Sequence, residues 1–248
     1  MKIAIIKLGA KGDVIRTLSL AKVLKEKFRC ELYWITKKGN VDLIKNNEYI
    51  DKTFGIPFKT NEEFDLLYNF DIDDEATKLA EELKAKKKFG FYKDGGYASA
   101  YNLGAEYYLN TLFDDEVKRT NKKTYQEMMF EAAELPYKKD FAGLKLEKED
   151  FEYAENFLKN HGVKKDKLIG IHMGASPRWP SKVWHEDNLK KFIVLAKSEG
   201  YEILLFAGPD EREKQSAFMD KLKKQGTLVY MNDYKNTDRQ FASLINIC

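Results

Sequence analysis

The sequence predicts an α/β protein of two successive units, each a mainly parallel sheet covered by helices. Three observations carry that expectation. Short apolar runs alternate with segments of helical period, the pattern of strands joined by helical crossovers. The pattern breaks over 136–145, a polar stretch holding Pro136 and Gly143, as at a domain boundary. It then restarts, so the expected domains are 1–140 and 146–248.

The first strand is the apolar run Ile3 to Ile6. A turn with Gly9 and Gly12 follows, then Asp13 where a helix begins, with Val14, Ile15, Leu18, Ala21 and Leu24 at helical spacing. Strand, glycine turn and helix start bring backbone N–H groups and a carboxylate to one point. In open α/β sheets that point, beyond the carboxyl ends of the strands, is where ligands bind. The same residues also fit a plain reading, with Asp13 as helix N-cap and the glycines as turn formers.

Residues 31–36 alternate and are aromatic and β-branched, a second strand. Lys38, Gly39 and Asn40 read as a turn before a short helix at 41–46. Strands follow at 52–56, 64–70 and 88–92, with a helix at 75–86 whose acidic-first, basic-last order suits the helix dipole. Residues 92–120 are aromatic and irregular. They read as a long loop with one helix near 106–112, and a loop of that length makes a candidate substrate-facing wall. A helix at 124–133 closes the unit.

In the second unit, helices are expected at 149–160, 185–200, from Gly208-Pro209-Asp210-Glu211 to about 224, and at 238–247. Strands are expected at 168–173, 201–206 and 228–230. Three strands are few for a doubly wound unit, so this one is expected to be incomplete, with its last strand left as an edge.

Composition excludes several classes. The chain has 248 residues, with 43 basic against 40 acidic, a net charge of +3. The two signs are interspersed, which is not the balance of a nucleic-acid binder. No apolar run approaches the length of a transmembrane helix. The N-terminal apolar run is too short for a signal peptide, so a cytoplasmic protein is expected. Cys30, Cys248, His161, His172 and His185 are too scattered for a metal site.

A second stretch carries chemistry. The strand ending at Met173 leads into Gly174-Ala175-Ser176, small residues that let a phosphate approach the backbone, with a hydroxyl donor at Ser176. Lys182 brings a positive charge to the mouth of the next helix. The plain reading is a surface lysine on a polar loop.

Taken in order, Lys7-Leu8-Gly9-Ala10-Lys11-Gly12-Asp13, then Gly174-Ala175-Ser176 with Lys182-Val183-Trp184, then Gly208-Pro209-Asp210-Glu211 after a strand, the chain resembles glycosyltransferase family 9. These are the heptosyltransferases of lipopolysaccharide core synthesis. The resemblance implies the glycosyltransferase B fold of two Rossmann-like domains, the second incomplete here. It implies inverting transfer of a heptose-like sugar from a nucleotide diphosphate donor such as ADP-heptose, with no tightly bound cofactor or metal. The implied acceptor is a lipid-linked glycan, lipopolysaccharide core or another surface glycan. The implied location is peripheral, on the cytoplasmic face of the inner membrane.

By position, Asp13 is implied as general base, on an acceptor-side loop with Gly9, Ala10 and Gly12. Gly174, Ala175, Ser176 and Lys182 are implied to bind the donor diphosphate, and Glu211 to sit near the nucleoside. The residue types suit the chemistry. A sugar hydroxyl is a poor nucleophile, and a positioned carboxylate can take its proton at attack. A lysine and backbone donors aimed at the leaving diphosphate stabilise charge that grows in the transition state.

The family also carries a motif like Asp-Thr-Gly-Pro-x-His-Leu-Ala beyond the last helix seen here, and Asn232-Asp233-Tyr234 is not that motif. The donor site is therefore expected to be incomplete. A non-catalytic fragment or binding module that keeps the fold stands as the alternative. A dehydrogenase or epimerase is disfavoured, because Gly9-x-x-Gly12 is not G-x-G-x-x-G and no Walker A loop occurs.

Overall fold

Every residue from Ile3 to Ile6 is fully buried, because strand β1 (Lys2–Ile6) lies inside a sheet with helices on both faces. Ile3 and Ile5 enter one core, while Ala4, Ile6 and Leu8 enter the other, as side chains alternate across a strand. Burial on both faces explains a continuous apolar run in place of an apolar–polar alternation. The computed structural model describes residues 1–140, 143–175 and 180–248, in two units, Met1–Lys145 and Leu146–Cys248.

The first unit runs β1, α1 (Lys11–Thr17), α2 (Ser19–Phe28), β2 (Glu31–Thr36), α3 (Lys38–Ile44), β3 (Lys52–Gly55), β4 (Glu63–Asn69), α4 (Asp74–Glu82), β5 (Lys84–Asp94), β6 (Tyr97–Ala100), α5 (Leu103–Phe113), α6 (Asp115–Thr120) and α7 (Tyr125–Ala132). The sheet order is β3-β2-β1-β4-β5-β6. β1 to β5 pair in parallel and β6 is antiparallel. This is the order of a dinucleotide-type doubly wound sheet, whose switch point lies between β1 and β4. One core packs β1 against α1, α2, α5 and α7; the other packs it against α4.

Several details differ from the sequence reading. The helix expected from 14 onward is two helices that meet at Leu18. The Thr17 hydroxyl donates to Asp13 O at 2.7 Å and the Ser19 hydroxyl to Arg16 O at 3.4 Å; such back-bonding bends helices. Gly12 is not in the turn but in the first turn of α1, and the N-cap is Ala10. Asp13 is the third helical residue and caps nothing. Lys38, Gly39 and Asn40 start α3 instead of making a turn.

The helix expected to reach residue 86 ends at Glu82, and 84–88 belongs to β5. The basic group that its C-terminus needs comes from that strand: Lys88 Nζ donates to Ala80 O at 2.6 Å. The long irregular wall over 92–120 is mostly regular. It is a β5–β6 hairpin followed by α5 and α6. Gly95 and Gly96, with φ of +52° and +89°, make the hairpin turn, which needs positive φ at both central residues.

The second unit runs α8 (Lys148–His161), β7 (Leu168–His172), α9 (Glu186–Ser198), β8 (Glu202–Phe206), α10 (Arg212–Lys223), β9 (Tyr230–Met231) and α11 (Asp238–Asn246). Its described strands pair in parallel in the order β7-β8-β9, as β1, β2 and β3 do in the first unit. The last strand starts at Tyr230, two residues later than expected. Ile203 and Leu205 pack on α9 and α10; Leu204 and Phe206 pack on α8 and α11. An Asp150–Arg239 ion pair ties α8 to α11.

Candidate active-site residues

In the first unit, the chain leaving β1 is held from both sides. Thr36 at the end of β2 donates its hydroxyl to Lys7 O at 2.7 Å. Asn40 of α3, 4% exposed, donates to Gly9 O at 3.3 Å and to the Thr36 hydroxyl at 3.2 Å. From the other side, Asp71, just past β4, accepts the Lys7 ammonium on Oδ1 and the Leu8 and Gly9 N–H groups on Oδ2. Lys7 Nζ also donates to Phe70 O at 2.9 Å.

Lys7 and Asp71 are a buried pair, their side chains 3% and 11% exposed. Burial works against the charge on Lys7, but the Asp71 carboxylate and the Tyr125 hydroxyl outweigh it and hold Lys7 above the ordinary lysine range. Burial pushes the Asp71 carboxyl up, against the pull of Lys7 and of the Leu8 amide. Gly9 sits where the pair leaves little room: a Cβ there would lie 3.2 Å from Asp71 Oδ1 and 3.3 Å from Lys7 Nζ.

Asp13 projects from α1 just beyond this clamp. Arg16 Nη2 donates to its Oδ1, and the guanidinium carbon of Arg16 lies 4.2 Å from the centre of the Tyr125 ring. Tyr108 of α5 meets Tyr125 edge-on at 5.9 Å. Burial, then the neighbouring Tyr125, pushes the Tyr108 hydroxyl up to about 12. The structure thus joins Gly9, Ala10 and Asp13 to a network of Lys7, Asp71, Arg16 and Tyr125. The sequence reading had not assigned those last four a role. Of these, only the Asp13–Arg16 spacing of three was visible along the chain; Asp71 reaches its partners across more than sixty residues.

In the second unit, Met173 N donates to Phe206 O at 3.0 Å, carrying the β7–β8 pairing to the edge of the sheet. Gly174 follows, its N–H 3.2 Å from His172 Nδ1. The Glu211 carboxylate lies against Gly174, in the volume that a Cβ would fill, and Gly208 N donates to Glu211 Oε2 at 2.8 Å. Two buried amides brace this edge. Asn232 accepts from Ala207 N at 3.0 Å and donates to Ala207 O at 3.2 Å, and Gln215 donates to Leu205 O at 3.0 Å.

Gly174, Ala175 and Glu211 therefore stand at the carboxyl ends of β7 and β8. Lys182 is exposed at the end of a 3-10 turn, Pro180–Lys182. Ser176 lies outside the described residues. Among the described residues there is no cluster of His, Cys, Asp and Glu that could hold a metal ion, and no helix is long and apolar enough to cross a membrane.

The chain is similar to several known proteins. Lipopolysaccharide heptosyltransferase 1 of Campylobacter coli is 26% identical over 227 residues, covering 84% of this chain. The chain spans 64% of the length of that relative. Among solved structures, the family 9 glycosyl transferase of Veillonella parvula DSM 2008 superposes with a TM-score of 0.78 at 18% identity, covering 100% of this chain and 74% of that one. E. coli ADP-heptose lps heptosyltransferase II gives a TM-score of 0.68 at 17% identity, covering 100% and 77%. At these identities the likeness shows the fold, that of the glycosyltransferase B proteins. The model of glycosyltransferase family 9 (heptosyltransferase) matches residues 60–230, from the strand that leads to Asp71 through the last strand of the second unit, and the chain belongs to that family.

Proposed function

We propose that this chain is an inverting glycosyltransferase. It moves a heptose-like sugar from a nucleotide diphosphate donor, ADP-heptose in kind, to a lipid-linked acceptor of the lipopolysaccharide core or another surface glycan. The observation that supports the reading is a shared position in a chain of this family. Asp13 and the Gly174–Glu211 pair each stand just past the carboxyl ends of parallel strands, where such folds bind ligands.

In this reading Asp13 takes the proton of the acceptor hydroxyl as its oxygen bonds to the anomeric carbon. The bond from that carbon to the donor phosphate breaks, and the nucleoside diphosphate leaves with the electron pair. Gly174, Ala175, Ser176 and Lys182 receive the diphosphate and stabilise its growing charge. Glu211 holds the nucleoside. The acceptor is presented at the cytoplasmic face of the inner membrane, where the protein associates peripherally.

Thermal denaturation with ADP-, GDP- and UDP-sugars tests the reading. Stabilisation by one nucleotide class is expected. A folded chain that none of them stabilises contradicts it.

A further inference from the structure

Arg16 lies one helical turn beyond Asp13 and has two neighbours of different character. Its guanidinium carbon rests 4.2 Å from the Tyr125 ring centre. That ring packs against Tyr108, edge-on at 5.9 Å, and has the buried Lys7 ammonium 5.7 Å from its centre. Its other neighbour is Asp13, which it meets through one nitrogen, Nη2, and one oxygen, Oδ1. The two side chains are 46% and 36% exposed. Partly exposed pairs spaced by three on a helix are weak and exchange readily. A guanidinium binds a phosphate or carboxylate best through two parallel N–H bonds. The contact with Asp13 falls short of that.

We propose that Arg16 sets acceptor specificity by exchanging partners. An anionic substituent near the attacking hydroxyl of the acceptor takes over the Arg16 guanidinium on the Tyr125 face, and so frees Asp13 Oδ1 for that hydroxyl. No covalent bond changes in the exchange; one anion replaces another at the same cation. A neutral acceptor leaves Oδ1 bonded to Arg16, with only Oδ2 to take the proton, and reacts slowly. The proposal rests on the transferase reading with Asp13 as base.

The test compares a membrane-extracted lipid-linked acceptor with the same acceptor after phosphatase treatment and after methyl esterification of its carboxylates. The wild-type chain and Arg16→Gln are assayed on all three. Wild-type kcat/KM is expected to fall about tenfold or more on the acceptor that has lost the recognised anion. The treatment that causes the fall says whether phosphate or carboxylate is read. Arg16→Gln is expected to use all three acceptors with similar efficiency. Equal discrimination by both proteins, or none by the wild type, overturns the proposal.

If the wild type turns over no acceptor, the transferase reading is what fails. Arg16 is then judged by binding, from the ¹⁵N signal of its Nε during titration with mannose 6-phosphate and with mannose. A saturable shift with the phosphosugar alone, lost in Arg16→Gln, supports the exchange. The same response to both sugars, or no response, overturns it.

Discussion

The Glu211 carboxylate occupies the volume that a side chain on Gly174 would need. The contact joins the two loops that leave β7 and β8, and Gly208 N holds the acid there at 2.8 Å. A methyl group at 174 would meet the far end of a flexible side chain, so the acid moves and the fold survives. Gly174→Ala should therefore weaken binding of a nucleoside diphosphate about tenfold, or ~1.4 kcal/mol, with little change in Tm. Glu211→Ala should weaken it similarly, and the double variant should be no worse than either, since both remove one arrangement. Isothermal calorimetry with ADP measures all three.

Gly104 offers the opposite case. A Cβ there would collide with the backbone carbonyl of Glu131, where α5 crosses α7. A backbone group cannot swing aside. Gly104→Ala should cost about 1–3 kcal/mol of stability through overpacking, read as a lower urea midpoint.

The Lys7–Asp71 pair makes a third prediction. Asp71→Ala leaves an ammonium buried without its counter-charge, which should destabilise the protein by about 3–5 kcal/mol. Adding Lys7→Met removes the stranded charge and should recover most of the loss. Urea denaturation of the single and double variants checks this. A double variant as unstable as Asp71→Ala would show that the carboxylate acts mainly through the Leu8 and Gly9 amides.

Tyr108 sets the alkaline limit. Its folded pKa is raised from 10.0 to about 12, by burial first and by Tyr125 next. The folded state therefore holds a proton that the unfolded state gives up. The stability linked to Tyr108 is intact below pH 10 and is lost as pH rises toward 12, at up to ~1.4 kcal/mol per pH unit. Tyr68, also raised by burial, adds to the same slope. Lys7, held above the ordinary lysine range by Asp71 and Tyr125 against its burial, adds to the same slope. Tyr108→Phe should flatten the fall in urea midpoint across that range without abolishing it.

Much of the architecture was legible because burial on both sheet faces leaves apolar runs such as Ile3–Ile6 and Ile203–Phe206. Thr124 and Thr237 each close a capping box with the residue three ahead, a local signal that marks where α7 and α11 begin. The β5–β6 hairpin was missed although Asp94-Gly95-Gly96 is a turn signal, because the aromatic residues around it drew the reading toward a loop. Lys84 and Lys86 read as a helix end although they lie in β5, since a charge pattern does not say which element carries it. At the candidate site, Asp13 and Gly174 could be named from local pattern, and Glu211 from the family resemblance. Asp71, Asn40 and Asn232 could not. Their roles are contacts with backbone groups distant in sequence, and such contacts exist only once the sheet has formed.

The central claim is that Asp13 acts as the base of a sugar transfer, and its most direct test separates turnover from binding. Asp13→Ala and Asp13→Asn should lower kcat by about a hundredfold to ten-thousandfold, while the Kd for the ADP-sugar stays within about twofold of wild type. Transfer by Asp13→Ala at close to the wild-type rate, with the donor bound as before, would contradict the account.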